Sequence, residues 1–385
     1  MLNAVVGLHL YQPPSQYPEV VERIAAESHR PLLHTILDEP KAYLCLDIAA
    51  CAIELLQVYA PDVIWLIEEC LRQRKLYLVN TAAFHPILPL MHASEVERQL
   101  SLNIAAYEQC FKPFTVPTGC FLPEMAYASH VIPPLRRSWT RWTIADDDPY
   151  EACYGHKPPF DWIAADEGMP IFLRSNLWSN RLSRFDQPEN HSYTNGAVFV
   201  RALLDGVRAW QGNDAEGYVV IWLDFETFGH HSKKDLPNLI NTFFPPLFNA
   251  QNDTFRLTDP NALVKRFPTR AVKMPSGSWS TTKDHWRTGN YFPLWADKNV
   301  PYHVAWWKLI KIATDIVQRH PSDPFIRRQG DKMVYSCQPW QYMQGNKHLA
   351  RLGLRYFENV LAAGRANEKT EGRRLLDTLY DLTRE

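Results

Sequence analysis

Short, nearly unbroken apolar runs recur near residues 4–10, 43–48, 76–80, 117–122, 140–145 and 218–224, and segments of helical periodicity lie between them. Runs of this length predict strands covered on both faces, and strands alternating with helices predict an α/β fold with a parallel sheet. One helix is expected after Ser94-Glu-Val-Glu97, a capping-box start, because Val96, Leu100, Ile104, Tyr107 and Phe111 repeat every three to four residues. Residues 146–195 carry Pro158-Pro159 and Asn-rich turns, and read as a long loop insertion that walls a cleft. Near residue 270 the pattern changes. Ser276 to Asn290 is a Gly/Ser/Thr/Trp-rich loop, and helices dominate beyond it. Val304, Trp307, Ile310, Thr314 and Val317 trace one helical face, Asp323-Pro324 begins another helix, and Leu375, Leu376, Leu379 and Leu382 form a last stripe. The expected division is therefore 1–270 as the α/β part, and 271–385 as a loop segment with a helical bundle packed on it.

Composition narrows the partners. The chain has 385 residues, 46% of them hydrophobic and 22% charged, which is enough for a large core. A net charge of -1 gives no electrostatic reason to expect nucleic acid or an anionic membrane. Seven cysteines without Cys-x-x-Cys spacing predict free thiols and no zinc ribbon, and no metal or cofactor is expected. Met1-Leu2-Asn3 runs straight into the first strand without a leader pattern, so a cytoplasmic protein is expected. Apolar runs fall well short of the roughly 20 residues that span a bilayer. Nothing in the sequence sets the oligomeric state.

The chemistry concentrates at two strand ends. The run from Tyr218 closes on Asp224 and Glu226, followed by Gly229, His230 and His231. In parallel α/β folds the C-terminal strand edge carries the site, although a lone aspartate there also suits a helix cap. About a hundred residues upstream, Thr118 to Tyr127 sets a second short apolar run against Glu124, where Pro123-Glu124 alone would also suit a helix start. Two such acids match the needs of glycosidic cleavage. One carboxyl attacks or stabilises the oxocarbenium-like carbon, and the other protonates the leaving oxygen.

The combination of His9-Leu-Tyr-Gln-Pro-Pro14, His85-Pro-Ile-Leu-Pro-Leu90, Gly119 to Tyr127 and Asp224 to Gly229 resembles glycoside hydrolase family 57, with weaker similarity running to about residue 345. The resemblance implies a distorted, incomplete (β/α)7 barrel with a C-terminal helical domain, and a retaining enzyme acting on α-glucans or maltooligosaccharides at α-1,4 linkages, with α-1,6 linkages left open. It implies Glu124 as nucleophile and Asp224 as general acid/base, with carboxyls about 5 to 5.5 Å apart. Asp224 would then need a raised pKa, from apolar cover by neighbours such as Trp222 or Phe225, or from the charge of Glu124. His9, Gln12 and His85 are expected to line the sugar subsite as neutral hydrogen-bonding groups, with Phe121 as an aromatic packing position and Glu226 as a substrate-binding carboxylate. The chain departs from the family pattern at Tyr11, where several members have a second histidine, and at Cys337 and Gln341, which replace an acid and an aromatic. Trp340 stays as a stacking position. Trp279, Trp286, Phe292 and Trp295 read as core anchors before sugar platforms.

Three further readings stay open: a glucanotransferase or branching enzyme of the same chemistry, a metal-dependent polysaccharide deacetylase using His9, His85, His230 or His231 with Asp224, and a non-catalytic glucan-binding protein. The histidines lack a recognised metal-ligand spacing.

Overall fold

The computed structural model describes residues 1–185, 187–211, 216–232, 236 and 238–384. Its strands are β1 (Leu2–Leu10), β2 (Leu44–Ile48), β3 (Leu76–Val79), β4 (Gly119–Phe121), β5 (Trp142–Asp146), β6 (Ile163–Asp166), β7 (Met169–Arg174), β8 (Gly217–Asp224), β9 (Phe255–Leu257) and β10 (Thr269–Ala271). Seven close a ring. β1 pairs in parallel with β2 and β8, β2 with β3, β4 with β5, and β5 with β7. Two seams are thin: β3 reaches β4 through the single Asn80–Cys120 bridge, and β7 reaches β8 through Arg174–Val220. The result is a distorted (β/α)7 barrel, with β9 added beside β1, and β6 and β10 beyond β7.

Alternation along each strand sorts the side chains. On β1, Ala4, Val6, Leu8 and Leu10 join the outer core beneath the helices, whereas Val5 joins the lumen. On β8, Val219, Ile221 and Leu223 face outward while Tyr218, Val220 and Trp222 fill the lumen. Gly7 makes this filling possible. The Trp222 indole lies over it so closely that a Cβ there would sit 2.1 Å from a ring carbon.

The seventh strand, β7, lies inside the stretch expected to be a loop wall. Residues 163–174 form a β6–β7 hairpin whose turn residues, Glu167 (φ 46°) and Gly168 (φ 80°), both take the left-handed conformation that tight two-residue hairpins use. Pro170 inside the run disguises it as a non-strand. The helix expected after Ser94 spans Ala93–Cys110, and His92, not Ser94, caps it by accepting from the Ser94 N–H.

In the C-terminal part, helices Pro301–Arg319, Pro324–Lys332, Leu354–Leu361 and Ala366–Leu382 share a core of their own around Trp306, Leu309, Phe357, Leu376 and Leu379. The buried face of the first runs through Tyr302, Trp306, Leu309, Ala313 and Ile316; Val304, expected inside, is exposed. Asp323 caps the second helix as expected, accepting from the N–H groups of Phe325 and Ile326. Forked ion pairs from Arg98 to Asp331 and from Arg327 to Glu95 join these helices to helix Ala93–Cys110. Among the described residues no helix is long and apolar enough to cross a membrane.

Candidate active site

Strand register brings the chemistry to one level. His9, near the end of β1, pairs laterally with Asp47 of β2 on one side and Asp224 of β8 on the other. All three stand at the C-terminal mouth of the barrel. Glu124 follows β4 directly, and a cleft of about 540 Å³ holds all eight residues expected in the site: Glu124, Asp224, His9, Gln12, His85, Phe121, Glu226 and Trp340. A second hollow of about 440 Å³, outside the barrel against helix Gly196–Gln211, contains none of them.

Glu124 sits on strained backbone. It has φ 58°, Met125 has φ 48° and His85 has φ 55°, a region costing L-residues on the order of 1–3 kcal/mol each. Two segments from the last third of the chain hold these positions: Trp279 N–H donates to the Glu124 carbonyl, and Ser336 N–H to the His85 carbonyl. The same residues grip the carboxylate. Trp279 Nε1 donates to Oε2 at 2.7 Å and Ser336 Oγ to Oε1 at 2.9 Å. Burial pushes the Glu124 carboxyl up, the two donors and His9 pull it down, and the charge of Asp224 adds to the rise. Trp279, expected as a core anchor, is thus a cleft residue; Phe292 and Trp295 are core.

Asp224 does not cap the short turn that follows it, since among the described residues no backbone N–H there donates to its side chain. Its expected apolar cover is also missing. Trp222 lies deeper in the lumen, Phe225 points to the outer core and packs edge-on against His29, and Asp224 itself is exposed in the cleft. The reason is strand alternation. Phe225 falls on the opposite face, and Trp222 is one step below.

His9 departs from the expected neutral donor. Its Nδ1 lies 2.6 Å from Asp47 Oδ2, while Trp222 Nε1 donates to Asp47 Oδ1 at 2.8 Å. Burial alone would lower the imidazole, but the Asp47 charge and hydrogen bond outweigh it, with help from Asp224 and Glu124, and raise it to about 9. Burial likewise pushes the Asp47 carboxyl up while His9 and Trp222 pull it down, so the proton between the two belongs to the pair. We take the pair as charged, because the imidazolium also faces the two cleft acids. Asp47 was not singled out from the sequence; its signal is an acid inside the apolar run 43–48.

His85 is neutral, held well below its ordinary value by burial and by the charge on His9. Its ring stacks on Tyr11 at 3.9 Å and lies 4.8 Å from the His9 ring. Phe121 stacks on His9 and on Trp222, leaving it only 2% exposed, so little of its ring is free for a ligand. Gln12 Nε2 donates to Glu226 Oε1 at 2.7 Å. Glu226 is buried rather than solvated, and burial together with the nearby Asp224 charge raises it to about 8. Trp340 is half-buried at the cleft wall beside Cys337 and Gln341. Of the histidines considered as metal ligands, three have Nδ1 engaged, His9 with Asp47, His85 with Ser336 and His230 with Glu27, and no three ligand atoms from this set and Asp224 come within 4.8 Å of one another among the described residues. Among the described residues the one group of at least three ligand atoms within 4.8 Å is Asp146, Asp147 and Asp148, away from these histidines in sequence and sharing no member with that set.

Comparison with known proteins gives a consistent picture. The family model described as glycosyl hydrolase family 57 matches residues 5–275. Among curated proteins, α-amylases from Pyrococcus horikoshii and Pyrococcus abyssi are 22% and 23% identical over 147 and 146 residues, 38% of this chain. The matched stretch spans 23% and 22% of those two proteins, under a quarter of their length. Among solved structures, a 4-α-glucanotransferase from Thermococcus litoralis superposes with a TM-score of 0.72 at 16% identity, covering 94% of this chain and 59% of that one. A branching enzyme from Pyrococcus horikoshii gives 0.66 at 15%, covering 99% and 94%, and an α-amylase from Thermotoga maritima 0.65 at 14%, covering 100% and 99%. At these identities the likeness is one of fold.

Proposed function

The chain belongs to glycosyl hydrolase family 57, and we propose that it is a retaining enzyme cleaving α-glucans by double displacement. The observation that carries the reading is the pair of acids in one cleft, one gripped and one free: Glu124 is fixed by two donors, whereas Asp224 stands exposed at the barrel mouth. Glu124 attacks the anomeric carbon as Asp224 gives a proton to the departing oxygen. Asp224 then takes a proton from the incoming hydroxyl, which displaces Glu124 and restores the original anomeric configuration. His9, Gln12, His85 and Glu226 bind the hydroxyls of the sugar at the cleavage point, and Trp340 offers a stacking face at the wall.

Water as the incoming hydroxyl makes the enzyme a hydrolase acting on α-1,4, and in a wider cleft α-1,6, linkages. A sugar as acceptor makes it a transferase, a reading supported by the 4-α-glucanotransferase and the branching enzyme among the proteins that share its fold. Chromatography of products from maltooligosaccharides, amylose and pullulan separates these outcomes. The mechanism is tested by Asp224→Asn, expected to slow turnover by about 10²- to 10⁴-fold, and by Glu124→Ala, expected to abolish it, both with unchanged circular dichroism. Full activity in either variant, or NMR detection of the β-anomer as first product, refutes it.

A further inference from the structure

Ser336 is fully buried, 212 residues from Glu124 in sequence, and its hydroxyl oxygen lies between two site residues: 2.9 Å from Glu124 Oε1 and 2.8 Å from His85 Nδ1. A hydroxyl has one hydrogen to give, and a carboxylate can only accept. The Ser336 hydrogen therefore goes to Glu124, and the Ser336 oxygen accepts from His85. That places the proton of the neutral His85 ring on Nδ1 and leaves Nε2 a bare acceptor. Nε2 is buried and has no hydrogen-bond partner among the described residues, in a ring that lines the cleft. The neighbouring ring is set the other way. Asp47 takes the Nδ1 side of His9, and its Nε2, equally buried and unpartnered, carries a hydrogen.

We propose that Ser336 is a positioning residue with two linked effects: it orients the Glu124 carboxylate for attack, and it fixes His85 as an acceptor beside the His9 donor. The two Nε2 atoms then form a matched pair for one hydroxyl of the sugar being cleaved, which accepts from His9 and donates to His85. A hydroxyl satisfies both at once; an ether or a deoxy position satisfies one or neither. The inference rests on Glu124 being the nucleophile. Backbone geometry reinforces it, because the Ser336 N–H also holds the carbonyl of the left-handed His85 at 3.0 Å.

The test uses α-maltotriosyl fluoride and the 385-residue protein. Fluoride departs with the C–F bonding pair as a Glu124 oxygen bonds the anomeric carbon, and fluoride needs little help from an acid, so its release reads the attack step. Ser336→Ala is expected to lower the kcat of fluoride release by about 10- to 100-fold, the worth of one hydrogen bond to a charged group, with KM changed less than about threefold. His85→Asn keeps an N–H toward Ser336 and tolerates the left-handed backbone, but its acceptor, the amide oxygen, stops short of the position that Nε2 occupies. It is expected to raise KM more than it lowers kcat. Nitrogen-15 NMR of the wild-type imidazoles is expected to show His85 protonated on Nδ1 alone, and Ser336→Ala to remove that preference. Wild-type fluoride release in Ser336→Ala, or an Nε2-protonated His85 in the wild type, overturns the proposal. Unimpaired release in Glu124→Ala instead sinks the mechanism beneath it.

Discussion

Replacing Glu226 by glutamine should stabilise the protein, and only above mildly acidic pH. Glu226 is 8% exposed; Oε1 accepts from Gln12, and Oε2 has no hydrogen-bond partner among the described residues. Burial, then the Asp224 charge, raises the carboxyl from 4.5 to about 8. An acid with a folded pKa above its unfolded one binds its proton more tightly in the folded state. Folding therefore takes up a proton between pH 4.5 and 8, and stability falls as pH rises through that window. At about 1.4 kcal/mol per pH unit, the interval from 4.5 to 7 is worth about 3 kcal/mol, and the whole rise about 5 kcal/mol. Glutamine never ionises, keeps the shape, and its carbonyl accepts from Gln12 in place of Oε1. Thermal unfolding at pH 5, 7 and 8.5 checks this. The variant should match the wild type at pH 5 and melt higher by several degrees at pH 7 and above. A gap that does not change with pH, or a variant that melts lower at pH 8.5, refutes the reasoning.

Asp47→Asn removes the charge that keeps His9 protonated. With burial unopposed by Asp47, the imidazole should drop from about 9 to a markedly lower pKa, and NMR titration of its ring reads the change directly. In the wild type, the stability from His9 protonation is full below pH 6.5 and lost as pH rises through about 9; His9 titrating near 6.5 in both proteins would contradict the assigned pair. Gly7→Ala drives a methyl into the Trp222 ring at 2.1 Å and pulls its Nε1 from Asp47, so a stability loss of about 3 kcal/mol is expected in thermal melts. A melting temperature within a degree of wild type would mean the lumen is looser than described.

What the sequence made legible are features whose neighbours in space are also neighbours along the chain. Asp224 and Glu124 end short apolar runs, and His9 and Gln12 follow one another in a polar cluster at a strand end. The residues that tune them are distant. Trp279 and Ser336 reach Glu124 across 155 and 212 residues, from segments whose Ser and Trp content reads equally well as loop or core. Asp47 is hidden because an acid in an apolar run carries no sign of which residue will face it, and its partner follows only from register. The charge on His9 was missed for the same reason. β7 escaped because Pro170 breaks its pattern, although the Glu167-Gly168 turn marked a hairpin.

The two donors on the Glu124 carboxylate also impose an order of assembly. During synthesis the strands through β8 emerge from the ribosome well before residue 279, and residue 336 later still. Until the final third of the chain has docked, the carboxylate at 124 has neither side-chain donor, and the left-handed turns at 85 and 124 lack the backbone contacts that hold them. A partly made chain can thus carry all seven barrel strands and both acids and still be an idle tool. Its competence arrives only when the segments carrying Trp279 and Ser336 have docked, so closing the barrel and arming it are separate events.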